Sequence, residues 1–367
     1  MGLMVLNVLA ACSTAVPDRS VATDPAMELH HSLFTFDLHI DSNFSAWWLG
    51  YDLGKYNDTP EGWMPWILQA DLPRMVEGGL DSMMLGLVVV GGDQDPVGTI
   101  ESQLDFAERE VFGRYPHLIE LARTAEDFER IHNEGKLAAW FSLEGAHTLG
   151  GSLDHLQQWY DRGVRSITMA HFSSNEFAAS NADANPDRPG LSELGRRLVC
   201  EANRMGIVLD VAHTHPKSLT ETVSLSQAPV IVSHTGIASV VPTFRNLKDE
   251  HIRMIRDKGG VVGVLFATNW TGENNNATLD DIMDHIDAVR ALGGVESLAV
   301  GTDYDGVVEV PADLRDVTEL PKLTAGLMAR GYSEDDLRAM WSGNILRVFR
   351  DVERVAAKLQ AEASGCD

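Results

Sequence analysis

Residues 192–213 read SELGRRLVCEANRMGIVLDVAH. Residues 192–205 carry an amphipathic helical pattern, and Gly206 follows it. Glycine just past a helix end supplies the left-handed cap that other residues resist. Residues 207–212 are then almost continuously apolar, and His213 ends the run. An uninterrupted apolar run, rather than an alternating one, suits a parallel strand buried on both faces.

The same unit recurs along the chain. Apolar runs occupy residues 33–38, 80–90, 137–143, 164–169, 207–212, 230–233, 261–266 and 298–301. Helical patterns such as 248–258 and 279–292 lie between them, and glycines at 78–79, 206, 259–260 and 293–294 close several of these patterns. Eight apolar runs alternating with helical patterns, several of them closed by glycine, predict a single (β/α)8 TIM-type barrel, with residues 307–365 as extra C-terminal helices. A doubly wound open sheet is the runner-up, but no GxGxxG follows a strand. Length allows either one large domain or two, and no internal linker interrupts residues 31–367.

Composition excludes some functions. The chain has 367 residues, is 44% hydrophobic and carries a net charge of -25. Such acidity repels nucleic acid, so a nucleic-acid hydrolase is disfavoured. The three cysteines, Cys12, Cys200 and Cys366, are too few and too scattered for a disulfide framework or a cysteine-based zinc site. Any metal must then be held by His, Asp and Glu.

In a barrel of this kind the active site lies at the C-terminal strand ends. There the chain places His39 and Asp41 after the first run, Glu144 after the third and His171 after the fourth. His213 follows the fifth run, His234 the sixth, and Asp303 and Asp305 the eighth. Any one of these is an ordinary polar residue near a turn. Together they would crowd titratable groups into one mouth, which is costly to desolvate unless a cation balances them. An all-oxygen and nitrogen set points to zinc, with manganese or cobalt as substitutes. His215 competes with His213, which is preferred because it directly ends its strand. Asp210 is expected to orient a ligand histidine from behind.

The ordered set HxD, EGxH, a strand-end His, DxAH, VIxSH followed by Arg245-Asn246, and GxDxDG resembles the membrane (renal) dipeptidase family, peptidase family M19, in the amidohydrolase superfamily. The resemblance covers about residues 33–350 and includes WSGNILRVF at 341–349. It implies a binuclear zinc-dependent dipeptidase in which two ions activate a bridging water. His39 and Asp41 would bind the first zinc, Glu144 would bridge both, and His213 and His234 would bind the second. His171 would meet the scissile carbonyl or the oxyanion, Arg245 the substrate carboxylate, and Asp303 the proton of the attacking water. A D-residue at the C-terminal position of the dipeptide, and a homodimer, are further implications.

The sequence departs from the family pattern at Ile40, at Ala146 and in the segment after His171. These changes bear on side-chain preference rather than on the metal site. Rival readings keep the barrel but change the chemistry. One is an N-acyl-amino-acid deacylase or lactonase, another a catalytically dead binding barrel.

Residues 1–30 read as leader and linker. Leu9-Ala10-Ala11-Cys12 resembles a bacterial lipobox, although no basic residue precedes it. It predicts a lipid anchor at Cys12 and a place in the cell envelope or periplasm; without signal function the protein would be cytoplasmic. His30, His31, His117, His132, His155, His251 and His285 are expected at the surface. Trp47, Trp48, Trp63 and Trp66 are expected to pack in the core, with a pocket wall or an interface as the alternative.

Overall fold

Each of the eight apolar runs overlaps a strand in the computed structural model, which describes residues 25–58, 66–185, 187–363 and 365–366. The strands are β1 (Phe36–Ile40), β2 (Ser82–Val88), β3 (Ile119–Leu121), β4 (Leu137–Glu144), β5 (Val164–Thr168), β6 (Val208–Asp210), β7 (Val230–Thr235), β8 (Val262–Val264) and β9 (Leu298–Val300). Their order is β1-β2-β4-β5-β6-β7-β8-β9, with every pairing parallel. The chain leaving β9 returns to β1: Asp303 N–H donates to His39 O at 3.0 Å and Asp41 N–H to Tyr304 O at 2.8 Å. This closure makes a (β/α)8 barrel and excludes the open sheet. β3 was not anticipated. It pairs with residues 137–139 of β4, below the point where β5 begins its own pairing at Phe141. Three residues are too few to carry a periodic signal.

The opening stretch folds as its pattern predicts. The helix Glu193–Met205 starts at Ser192, whose side chain accepts from Gly195 N–H, and buries Leu198, Val199, Ala202 and Met205. Gly206 takes φ +81° and donates its N–H to Ala202 O. An L side chain resists that conformation, so the helix stops there.

Side chains alternate along each strand. One set packs outward against the helices, including Leu85 of β2, Phe141 and Leu143 of β4 and Val232 of β7. The other set, Phe36 and Leu38, Met84, Ala138 and Trp140, Val208, Ile231 and Ala299, forms a separate core inside the barrel. Phe128 of the helix Ala125–Asn133 and Phe349 of the helix Asn344–Ala361 close that core at the N-terminal strand ends. The Trp140 and Phe349 rings are 3.8 Å apart, and Phe36 lies 4.9 Å from Phe128. The expected C-terminal helices thus include the plug of the barrel.

Residues 25–30, read as linker, are packed. Pro25–Ser32 is a helix in which Leu29 and His30 are buried, and His30 Nδ1 stands 2.7 Å from Thr324 Oγ1. Residues 1–24, with Cys12, lie outside the described residues, as does Trp63. Cys200 and Cys366 form a disulfide, with Cα atoms 5.7 Å apart, that ties the chain's end to the helix Glu193–Met205. Two isolated cysteines 166 residues apart carry no sequence signal for this pairing. Trp48 and Trp66 are about half exposed rather than in the core.

Candidate active site

The inner face of the strands changes character toward their C-terminal ends. On β4, Ala138 and Trp140 share a face with Ser142 and Glu144; on β6, Val208 shares one with Asp210. β1 reaches the same result differently. Its pairing with β2 slips between Asp37 and Ile40. Such an irregularity re-aims side chains, so Leu38 packs in the inner core while Ile40 joins the outer one. Asp37 holds the bend by accepting from His39 N–H at 3.0 Å and from Thr302 Oγ1 at 2.6 Å.

His39 and Asp41 point together as the HxD spacing predicts, with Nε2 to Oδ1 at 3.6 Å. Gly86 of β2 makes room for them: a Cβ there would stand 1.8 Å from Asp41 Oδ1. Glu144 is the hub. Its Oε1 is 3.4 Å from His39 Nε2, 3.4 Å from His213 Nε2 and 3.5 Å from His234 Nε2. Its Oε2 is 3.5 Å from His171 Nε2. Asp303 Oδ1 stands 3.9 Å from His39 Nε2. Arg245 NH2 is 2.9 Å from His213 Nε2 and donates to His234 O at 2.9 Å. The eight residues given site roles from the sequence therefore meet at one mouth, whereas Asp305 does not join them: its carboxylate accepts from Ser42 Oγ and from Gln69 N–H, both at 2.7 Å.

The sequence pattern did not separate ligand from substrate residue at His171. Three donor groups are compact enough for a cation: His39, Asp41 and Glu144; Glu144, His171 and His213; and His39, His234 and Asp303. His171 is thus as close to the hub as the histidines expected to bind metal. His215 is not part of the cluster. Its side chain accepts from Lys217 N–H and caps the helix Pro216–Leu225.

Burial and like charge dominate the electrostatics. Burial, then the neighbouring carboxylates, pushes the Glu144 and Asp303 carboxyls well above the usual carboxylate range, with His39 and Arg245 acting against the shift. Burial alone would depress the His39 imidazole, but Asp41, Glu144 and Asp303 outweigh it and hold it up at about 10. Burial lowers His171 to about 3 and pulls the Arg245 guanidinium down to about 10. Among the described residues no carboxylate lies within ion-pair distance of Arg245, whose NH2 meets His213 Nε2 and His234 O instead.

The donor set fits divalent metal. Zinc bonds to nitrogen or oxygen of about 2.1 Å on a tetrahedral ion put neighbouring ligand atoms about 3.4 Å apart. The contacts around Glu144 Oε1, at 3.4–3.5 Å, have that spacing and are too long for hydrogen bonds. His39 Nε2 and Asp41 Oδ1 are buried without a hydrogen-bond partner. Support comes from behind the ligands. Asp210 accepts from Ser233 Oγ at 2.5 Å, and Ser233 Oγ lies 2.8 Å from His234 Nδ1. A hydroxyl that donates to Asp210 accepts from Nδ1–H, which leaves the His234 Nε2 lone pair facing the cluster. Asp210 therefore orients a histidine as expected, but through Ser233.

Sequence reasoning missed Asp37, Gly86, Thr302 and Ser233. Only Gly86 left a signal, a glycine inside an apolar run. Strained backbone is also concentrated here: His213, Asp303, Asp305 and Val307 have φ between +57° and +67°. Each costs about 1 kcal/mol or more and persists because the surroundings impose it. The surface expectation fails for His30, His251 and His285, which are buried. His285 is satisfied on both sides: Nδ1 accepts from Ile237 N–H at 2.9 Å and Nε2 is 3.1 Å from Thr271 O.

Comparison with known proteins gives the family. The model of the membrane dipeptidase family (peptidase family M19) matches residues 23–363. The dipeptidase aclJ of Aspergillus oryzae is 32% identical over 303 residues, covering 79% of this chain and 72% of that protein. The dipeptidase tcpJ of Claviceps purpurea is 31% identical over 298 residues, covering 78% and 70%. A metallopeptidase from Rhodobacter sphaeroides, solved with a phosphinate mimic of the dipeptide L-Ala-D-Ala, superposes with a TM-score of 0.77 at 27% identity, covering 87% of this chain and 99% of the other. The chain belongs to the membrane dipeptidase family, the metallopeptidases of family M19.

Proposed function

We propose that this dipeptidase uses two zinc ions, with His39, Asp41 and Glu144 holding one and Glu144, His213 and His234 the other. The observation that carries this reading is the single carboxylate oxygen of Glu144 within 3.5 Å of three imidazole nitrogens, from β1, from β7 and from the turn that follows β6. Such ions, when bound, polarise the scissile carbonyl and acidify water near neutral pH.

The chain's own groups supply the rest. Arg245, buried and lacking a carboxylate partner among the described residues, pairs with the free carboxylate of the substrate. This favours a dipeptide over a lactone and limits substrate length. His171, neutral at pH 7, faces the developing oxyanion. Asp303, whose carboxyl is raised toward neutrality, takes a proton from the attacking water and returns it to the leaving amine. Hydrolysis thus adds OH to the carbonyl carbon and H to the amine nitrogen. The Cys200–Cys366 disulfide favours an oxidising compartment, and with the lipobox-like Cys12 it supports a place in the cell envelope. A D-residue at the C-terminal position and a dimer belong to the same reading.

The test combines metal content by mass spectrometry with kcat/KM on dipeptides bearing L- or D-residues at the C-terminus, as free acids and as amides. Two divalent ions per active chain and a strong preference for the free acid are expected. Full activity with less than one ion per chain, or equal hydrolysis of acid and amide, overturns the assignment.

A further inference from the structure

Beside the donor cluster lies a cavity of about 440 Å³ whose walls are apolar. Phe44, Trp48, Val89, Val90, Phe172 and Val307 form most of it, and among the described residues no Asp, Glu, Lys or Arg lines it. Trp48, Val90, Phe172 and Val307 are each half exposed or more. Four large apolar side chains on one rim are unusual for a surface this acidic, and such patches mark places that a ligand covers.

The position of the cavity says which part of a substrate would enter it. It opens against His171 and against Gly306, whose Cβ, if present, would stand 3.0 Å from Asp41 Oδ2. Arg245 stands beside His213 and His234 and does not line the cavity. The pocket that Arg245 lines shares no residue with the apolar cavity. A dipeptide with its carboxylate at Arg245 and its peptide bond at the cluster therefore extends its N-terminal residue toward the cavity.

We propose that this cavity receives the side chain of the substrate's N-terminal residue and makes the enzyme selective for large apolar or aromatic groups there. The proposal rests on the dipeptidase reading above and adds its substrate class. Volume allows one aromatic side chain with its backbone, and not a long peptide. A charged side chain would lose its hydration against these walls with no partner.

The experiment uses the metal-loaded enzyme and a series with constant C-terminal alanine: glycyl-, leucyl-, phenylalanyl-, lysyl- and aspartyl-alanine. Leucyl and phenylalanyl substrates should exceed glycyl in kcat/KM by roughly 10- to 100-fold, the factor expected for burying one such side chain. Lysyl and aspartyl substrates should fall below leucyl. Trp48→Ala should lower the phenylalanyl-to-glycyl ratio by about 10-fold. Val90→Asp should raise the lysyl-to-phenylalanyl ratio by a similar factor, because a carboxylate then stands in the wall. A flat wild-type profile, or variants that scale all five substrates equally, overturns this proposal alone. Failure to cleave any dipeptide at full metal content overturns the dipeptidase reading and this proposal with it.

Discussion

The two ends of the barrel interior are built from the same strands by opposite rules. At the N-terminal end Phe36, Trp140 and Phe349 are buried and interlocked, with ring centroids 3.8–5.6 Å apart where they meet. Four residues beyond Trp140 on β4, Glu144 is also buried but faces the imidazoles of His39, His171, His213 and His234. The first end is stabilised by removing apolar surface from water. The second holds raised carboxyls, unpartnered buried nitrogens and left-handed non-glycine residues, each of which costs stability. One strand thus pairs a stabilising half with a destabilising one. Function occupies the half that the rest of the fold must support.

If that division is real, substitutions at the two ends should separate activity from stability. The largest expected effect is Glu144→Gln, which keeps the shape and removes the charge. It should lose at least one metal and about 10³-fold or more in kcat/KM, while metal-free Tm stays the same or rises. Metal analysis, kinetics and calorimetry on one preparation check this, and full activity with a full metal complement would refute it. Next, Trp140→Ala should cost about 3–5 kcal/mol in denaturant unfolding, the usual range for a buried tryptophan. Activity per folded molecule should remain within a few-fold of wild type. A collapse of kcat at full folding would mean that the plug positions the site directly.

Arg245→Lys sharpens the contrast within the polar end, since a bidentate guanidinium contact is lost while the charge is kept. A loss of about 2–4 kcal/mol, or roughly 30- to 1000-fold in kcat/KM, is expected. Amidating the substrate should cost wild type a similar factor, and the two losses should not add because both remove one contact. Additive losses would separate Arg245 from the carboxylate. The smallest effect is assigned to Ser233→Ala, which frees His234 Nδ1 and leaves Asp210 short of a donor. A drop in metal affinity of about 10- to 100-fold is expected, read by competition with a chelator, and saturating metal should restore most of kcat. Unchanged affinity would leave Ser233 a merely structural residue.

Much of this was written in the chain. Uninterrupted apolar runs closed by glycine-capped helices specify buried parallel strands, because only a strand covered on both faces has no need of alternation. His39, Glu144, His171, His213 and His234 stand where those runs stop, so their convergence follows from the barrel itself. Other features exist only in three dimensions. The slip in β1 that turns His39 inward depends on Asp37 meeting Thr302, 265 residues away. The Ser233 relay, the Cys200–Cys366 link and the burial of His285 likewise join partners distant in sequence, and no local pattern encodes such pairs. The apolar cavity is assembled from the ends of several strands and the loops beyond them. Periodicity and spacing act over a few residues and so determine which elements form. Contacts between elements decide where each side chain points, because that depends on the closure of the whole ring.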